Sequence, residues 1–181
     1  MKIRESTESG RNEILSIHKA AFGEEQGAEI ANLVDDLLED ETALPRLSLV
    51  AIDGERMVGH ILYTSVSIAG AKESLSARIL APLAVRPESQ KQGIGQELIN
   101  EGLNRLKASG VNLVFVLGDP GYYTRCRFIP AGEKGFCAPY PIPEAHAAAW
   151  MVQELNGHIL GTMTGTVQCC KSLDEPQHWI E

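Results

Sequence analysis

The sequence lacks any hydrophobic run of the roughly 18–20 residues that a membrane-spanning helix requires. Residues 1–11 are mostly charged or polar and contain no apolar centre, so they do not resemble a secretory signal peptide. We therefore expect a cytoplasmic protein that has no membrane partner.

The sequence also lacks the cysteine spacing of a disulfide framework or a zinc site. Its four cysteines contain no C-x-x-C pair, and its five histidines supply no matching pair of spaced ligands. We therefore expect reduced structural thiols and no bound metal.

Positive charge is scarce, because 16 lysines and arginines are set against 24 aspartates and glutamates, for a net charge of −8 at pH 7. Domains that bind nucleic acid are usually basic, since they must neutralise phosphates. The chain is therefore not expected to bind nucleic acid. Its charge weakly favours encounters with cationic small molecules.

The chain does contain enough apolar sequence for a core, with 44% hydrophobic residues in a length of 181. This length predicts one domain that spans residues 1–181. Apolar residues recur at helical spacing in residues 14–22 and again in residues 30–38, and Gly23 stands between them as a stop signal. Two amphipathic helices are therefore predicted to open the fold.

Apolar segments bounded by turns predict a sheet after these helices. The predicted strands are residues 47–52, 57–67, 77–85, 113–117, 150–155 and 164–170. The turn Asp53-Gly54 joins the first two as a hairpin, and a predicted helix at 98–106 makes a parallel crossover between the third and the fourth. Pro82 predicts a bulge in the third strand, or a point where this strand parts from its neighbour. The fold class is therefore α/β (α+β), a mixed central β-sheet with helices on both faces.

The segment with the clearest chemistry is the turn between the third strand and the following helix, Gln90-Lys91-Gln92-Gly93-Ile94-Gly95-Gln96. The first amides of a helix have no intrahelical partner, and glycine lets an anion approach them without meeting a side chain. Together with the helix dipole, such a turn binds phosphate groups. A dinucleotide fingerprint would need a third glycine at Leu98, and a P-loop would need Lys followed by Ser or Thr, which this turn lacks.

With Gln90, Gly93 and Gly95 in place, the turn resembles the [Q/R]-x-x-G-x-[G/A] signature of the GNAT superfamily of N-acetyltransferases. Residues 80–85, 116–120 and 139–143 are similar to the bacterial YhbS-like branch of that superfamily. The resemblance extends over about residues 3–170.

A second motif of the family is a tyrosine followed, after a few variable residues, by Gly-Phe. Here Tyr123 and Phe128 have the expected separation, and Arg127 stands where glycine is usual. This departure bears on the geometry of the turn more than on the role of the tyrosine. The two motifs occur in the order that the family requires.

The resemblance implies a GNAT-type acyl-CoA N-acyltransferase fold with acetyl-CoA as co-substrate. It implies that the backbones of Leu83 and Val85 pair with the pantetheine arm as an added strand would, and that the amides from Gln92 to Gln96 hold the pyrophosphate. The cofactor-binding residues are then Leu83, Ala84, Val85, Gln90, Lys91, Gln92, Gly93, Ile94, Gly95 and Gln96. Arg86 is a second cation near Lys91. Homodimers are frequent in the superfamily, so a homodimer is an open expectation.

The implied reaction is direct attack of a primary amine on the thioester in a ternary complex. Tyr123 is the candidate general acid for the departing thiolate, and Tyr122 is interpreted as a packing residue. A backbone amide of Leu83 or Ala84 would meet the developing oxyanion. The small-molecule or peptide acceptor is not identified by the sequence.

No general base is assigned. The strand at 79–85 contains no carboxylate, and the residues considered for a base are Glu24, Glu25, Glu29 and His60. Tyr140 and Trp150 are candidates for a wall of the acceptor pocket. The missing carboxylate keeps an alternative open, in which the chain is a non-catalytic acetyl-CoA-binding sensor or regulatory module.

Overall fold

The computed structural model describes residues 1–180, and its strands form one mixed sheet with two short additions. The strands are β1 (Lys2–Glu5), β2 (Leu47–Asp53), β3 (Arg56–Ile68), β4 (Ala77–Val85), β5 (Leu113–Leu117), β6 (Ile129–Pro130), β7 (Phe136–Cys137), β8 (Trp150–Glu154) and β9 (Gly165–Gln168). The α-helices are α1 (Arg11–Glu39), α2 (Ile94–Ala108) and α3 (Pro120–Tyr123).

The start of the chain differs from the prediction, because a strand precedes the helices. Strand β1 pairs antiparallel with β2, from Lys2 opposite Ile52 to Glu5 opposite Leu49. The prediction that helices open the fold was therefore wrong. Only one of the four residues of β1 is a strong apolar residue, so its sequence gives almost no alternation to detect.

The two predicted helices are present as the two segments of α1, which meet at Gly23. This glycine takes φ 78° and ψ −173°, a conformation that interrupts the helix and that an L side chain rarely adopts. The segments then lie side by side, because Arg11 Nε is 2.7 Å from Asp35 Oδ1 and Gly27 packs on the backbone carbonyl of Lys19. Gly23 thus converts one long helical sequence into a hairpin.

The sheet has the order β1-β2-β3-β4-β5-β8-β6, with β9 paired to the far end of β3 and to β7. Among the strand pairs of the main sheet within residues 1–180, only β4–β5 is parallel, and α2 is the crossover between these two strands. Strand β8 comes late in the chain but lies between β5 and β6. The mixed sheet predicted from the sequence is confirmed.

Strands β4 and β5 separate at the proline. Their parallel register ends at Leu80 opposite Val116, whereas the register of β4 with β3 continues to Val85 opposite Gly59. The β3–β4 register shifts around Pro82, so this strand has both the bulge and the parting that the sequence left as alternatives. From residue 81 onward, the edge of β4 that faces β5 has no strand partner within residues 1–180.

Helices cover both faces of the sheet, as predicted. Successive side chains of a strand point to opposite faces, so Val114 and Val116 of β5 pack with α2 whereas Phe115 packs in the cluster that contains Leu33 and Leu37 of α1. Within residues 1–180, no helix is both long and apolar enough to cross a membrane.

Candidate functional site

The glycine turn and the start of α2 form one side of the site. Lys91 and Gly93 have positive φ angles of 63° and 85°, and these two left-handed residues redirect the chain so that α2 begins at Ile94. No side chain caps this helix, and its first intrahelical bond near the turn runs from the Glu97 amide to the Gly93 carbonyl at 3.0 Å. The preceding amides are therefore directed out along the helix axis, where an anion can accept from them.

Gln90 holds this turn in place. Its side-chain Nε2 donates to the carbonyl of Val85 at 3.0 Å, which joins the end of β4 to the loop before α2. The first residue of the glycine motif therefore has a structural role as well as a place in the wall of the site.

The turn, the end of β4 and the segment after β5 enclose an open cleft of about 670 Å³. It is lined by Leu83, Val85, Ser89, Gln90, Lys91, Gly93, Ile94, Gly95, Gln96, Tyr122 and Arg125. Among these described lining residues two are cations and none is a carboxylate, so the cleft favours an anionic ligand although the chain as a whole is acidic. Of the predicted cofactor residues, Ala84 and Gln92 lie outside this lining.

The backbone groups of the last residues of β4 point alternately to β3 and to the open edge of the strand. The Arg86 amide donates to the Val58 carbonyl of β3 at 2.8 Å, and backbone groups alternate in direction along an antiparallel ladder. The backbone groups of Ala84 therefore also point to β3, while those of Leu83 and Val85 point to the open edge. The side chain of Ala84 is buried on the face of the sheet that packs against α1.

Arg86, the second predicted cation, is turned away from the cleft. Its Nε donates to the Met57 carbonyl at 2.8 Å, and its guanidinium lies 3.8 Å from the Glu13 carboxylate. It therefore ties β4 to β3 and α1, and Lys91 is the cation that the turn itself supplies.

The local sequence explains how the second motif folds. Asp119 caps α3 by accepting from the Gly121 amide at 2.9 Å, and Pro120 occupies the first helical position. The helical stretch ends at Arg127, which takes φ 71°. The family position that usually holds glycine thus requires a left-handed conformation, and here an arginine adopts it.

The two tyrosines of this motif have different surroundings. Tyr122 lines the cleft, and its hydroxyl lies directly over Gly95 at the start of α2. Tyr123 packs against Gly118, which follows the end of β5, and its ring is edge-on to Phe128 with the centroids 5.7 Å apart. Tyr123 is not among the residues that line the cleft, and it stands just after the end of β5, close to the point where β4 and β5 part.

Sequence reasoning missed Arg125 and interpreted Tyr122 only as a packing residue, yet both line the cleft. A signal was present, because residues three apart on a helical stretch share a face and these two residues have that spacing. Burial raises the pKa of Tyr122, and the nearby Cys126 raises it further, while the charge of Arg125 lowers it. The guanidinium is therefore within electrostatic reach of the Tyr122 ring.

None of the residues considered for a general base lines the cleft. Glu25 and Glu29 border a separate groove against residues 171–178, and Glu24 is exposed beside Gly23. His60 is fully buried in β3, between the Ser48 hydroxyl at 2.7 Å and the His18 ring nitrogen Nε2 at 2.8 Å.

The buried histidine pair is held neutral. Burial lowers the pKa of His18 to about 3, and burial together with the charge of His18 lowers the pKa of His60 well below its usual value. The network continues to the surface, because the Ser6 hydroxyl donates to the Ser48 hydroxyl at 2.7 Å. The Nδ1 atom of His18 is buried and has no hydrogen-bond partner within residues 1–180.

The aromatic residues considered for an acceptor wall differ in exposure. Trp150 is only 3% exposed, donates to the Phe136 carbonyl at 3.0 Å and stacks on Phe115, so it belongs to the core. Tyr140 is half-buried and donates its hydroxyl to the Asp174 carbonyl at 3.2 Å. Residues 1–180 contain no group of three or more His, Cys, Asp or Glu side chains placed to hold a metal ion.

A sequence model of the family described as an acetyltransferase (GNAT) domain matches residues 2–128. The chain is 46% identical to the N-acetyltransferase YjhQ of Escherichia coli K12 over 162 residues, which cover 89% of this chain and 87% of YjhQ. It is 36% identical to the N-acetyltransferase YhbS of the same strain over 139 residues, which cover 76% of this chain and 79% of YhbS.

Solved structures agree with these relatives. The chain matches the E. coli GNAT family N-acetyltransferase YhbS in complex with CoA, with a TM-score of 0.85 and 29% identity over 96% of this chain and 92% of that one. It also matches a GNAT family acetyltransferase from Brucella melitensis in complex with acetyl-CoA, with a TM-score of 0.74 and 28% identity over 96% and 97%. The chain therefore belongs to the GNAT family of N-acetyltransferases.

Proposed function

We propose that this chain transfers the acetyl group of acetyl-CoA to a primary amine by direct attack in a ternary complex. The observation that carries the proposal is the combination of unpaired helix amides with an open strand edge in one cleft. The amides fit a pyrophosphate, and the edge of β4 fits the amide groups of a pantetheine arm. CoA and acetyl-CoA in the matched structures support this ligand.

In this proposal the ligand runs from the glycine turn to the parting of β4 and β5. Amides between Gln92 and Gln96 hold the pyrophosphate, with Lys91 beside them. The backbone groups of Leu83 and Val85 pair with the pantetheine arm. The missing side chain at Gly95 supports this placement, because a β-carbon there would project into the space beneath the Tyr122 hydroxyl.

The thioester then lies beside Gly118 and Tyr123. The Leu83 amide is the better placed of the two predicted oxyanion donors, because the Ala84 amide points to β3. Donors of this kind contribute about 2.7–4 kcal/mol each to transition-state stabilisation. Tyr123, which packs against Gly118 just after the end of β5, is the candidate to give a proton to the departing thiolate.

Deprotonation of the amine costs more free energy than protonation of the leaving thiolate. A lysine-like amine with a pKa near 10.4 costs about 4.6 kcal/mol to deprotonate at pH 7, whereas a thiol with a pKa near 8.5 requires only about 2 kcal/mol of help on leaving. Since no base candidate lines the cleft, we propose that the acceptor loses its proton to water before attack, or has a low pKa. Tyr123 then has only to protonate the departing thiolate, the step with the smaller energy cost.

The alternative is a non-catalytic acetyl-CoA sensor, and the lack of a carboxylate on β4 favours it.

We also propose that residues 1–181 act as one domain, because β8, from the last third of the chain, pairs with β5 in the central sheet. A homodimer, which is frequent in the superfamily, stays a proposal for this chain.

The test measures CoA release from acetyl-CoA with a panel of amines, for the wild type and for Tyr123→Phe. We expect Tyr123→Phe to lower kcat by about 10- to 30-fold at pH 7, because protonation of the thiolate is worth about 2 kcal/mol there. The loss should shrink toward pH 9, where the thiolate needs no proton. Acetyl-CoA affinity should be unchanged.

Tyr122→Phe is the matched control, because it removes the neighbouring hydroxyl and should keep kcat within about twofold at both pH values. Equal kcat for the wild type and Tyr123→Phe at pH 7 would contradict the role of Tyr123. Tight binding of acetyl-CoA with no turnover on any amine would support the alternative, a non-catalytic acetyl-CoA sensor.

A further inference from the structure

Arg125 borders two concave surfaces at once. It lines the cleft together with Gln96 and Tyr122, and it also lines an adjoining groove of about 710 Å³ along the outer flank of α2, beside Asn100 and Asn104. Gln96 and Asn100 are one helical turn apart. Arg125 therefore lies where the cleft adjoins this groove.

The charge of Arg125 is available for a ligand. No carboxylate among residues 1–180 forms an ion pair with it, whereas Arg11, Arg56, Arg86 and Arg105 each pair with at least one. Its side chain is exposed, and it lines the same cleft as Lys91. A planar guanidinium in this state is suited to bidentate recognition of a phosphate group.

We propose that Arg125 binds the 3′-phosphate of CoA and thereby selects CoA thioesters over thioesters that lack this phosphate. The inference rests on the proposed function, because it requires the pyrophosphate to lie on the amides of α2. From there, the next group along the ligand is the ribose that carries the 3′-phosphate. The amides and Lys91 already serve the pyrophosphate, and Arg125 is the other cation among the described residues that line the cleft.

The test compares two ligands that differ only in this phosphate. Calorimetric titrations measure the Kd of CoA and of 3′-dephospho-CoA for the wild type, Arg125→Ala, Lys91→Ala and Arg127→Gly. Arg127→Gly is the matched control, because it removes an exposed charge two residues away that lines the adjoining groove but not the cleft, and it places glycine where φ is positive.

We expect the wild type to bind CoA about 5- to 20-fold more tightly than 3′-dephospho-CoA, as an exposed charge-assisted pair allows. Arg125→Ala should reduce this ratio to below about twofold while its Kd for 3′-dephospho-CoA stays at the wild-type value. Lys91→Ala should weaken both ligands equally, and Arg127→Gly should keep the wild-type ratio.

Two results would overturn the inference. An unchanged ratio in Arg125→Ala would show that the 3′-phosphate lies elsewhere, and an equal loss for both ligands would place Arg125 on the pyrophosphate. A wild-type protein that binds neither ligand would instead refute the proposed function, so the two failures are distinguishable.

Discussion

The hydroxyl of Tyr122 lies directly over the α-carbon of Gly95, so that a β-carbon at residue 95 would overlap it. The tyrosine comes from the segment after β5 and the glycine from the first turn of α2. This contact brings the two family motifs together across one cleft. It also explains in physical terms why the second glycine of the turn has no side chain.

Gly95→Ala should therefore weaken CoA binding by about tenfold, because the new methyl group forces the Tyr122 ring to move and narrows the approach to the helix amides. Calorimetric titration of CoA measures the effect. In Gly95→Ala/Tyr122→Ala the overlap is removed, so part of the affinity should return.

Gly132→Ala is the matched control, since a β-carbon at that position meets nothing within 4 Å. It should bind CoA as the wild type does. If Gly95→Ala also bound CoA with wild-type affinity, the contact would not control access to the turn.

Arg127 is the second place where a family glycine can be tested. A non-glycine residue at φ 71° destabilises the fold by about 1–2 kcal/mol, and Arg127→Gly removes this strain. The greater entropy of glycine in the unfolded chain offsets about 0.4–1 kcal/mol of the gain in stability. Arg127→Gly should therefore raise the free energy of unfolding by about 0.5–1 kcal/mol in urea denaturation. Arg127→Val should lower it, because a β-branched residue tolerates positive φ least. A lower stability for Arg127→Gly than for the wild type would contradict this account.

The pair His18 and His60 should make the protein sensitive to acid. Each has a folded-state pKa below the ordinary value of 6.5, so the unfolded chain binds more protons between pH 6.5 and the folded pKa values. Stability is complete above pH 6.5 and falls as the pH drops below it. For His18, whose folded pKa is about 3, the loss by pH 5 is about 2 kcal/mol, and His60 adds to it.

Urea denaturation at pH 7, 6 and 5 measures this loss. In His18→Gln/His60→Gln the two rings can no longer titrate, so stability should fall less between pH 7 and pH 5, whatever its absolute value. Parallel pH dependences for the wild type and the double variant would show that the pair does not control acid sensitivity.

Local patterns predicted the middle of the fold well. The Asp53-Gly54 turn connects β2 and β3, with φ 64° at Gly54, and Pro82 marks the place where β4 parts from β5. The turn from Gln90 to Gln96 could be recognised because its glycines act within a few residues of one another. These features depend on short-range geometry, which can be predicted from residues that are neighbours in the sequence.

Features that depend on distant residues could not be predicted in this way. His18 and His60 are 42 positions apart, and nothing local shows that one buries the other. Strand β1 has too few apolar residues to show an alternation, and it exists because β2 offers it an edge. The three-residue spacing of Tyr122 and Arg125 indicates a shared face, but that this face lines the cleft beside α2 depends on tertiary packing.

The insertion of β8 between β5 and β6 affects how the protein is made. During synthesis, the edge of β5 that faces away from β4 leaves the ribosome before residues 150–154, which cover it in the folded chain. A buried strand with an open edge invites pairing with other chains. Truncation at residue 128, where the family match ends, would leave that edge permanently open, so this shorter fragment is a poor choice for expression as a minimal enzyme.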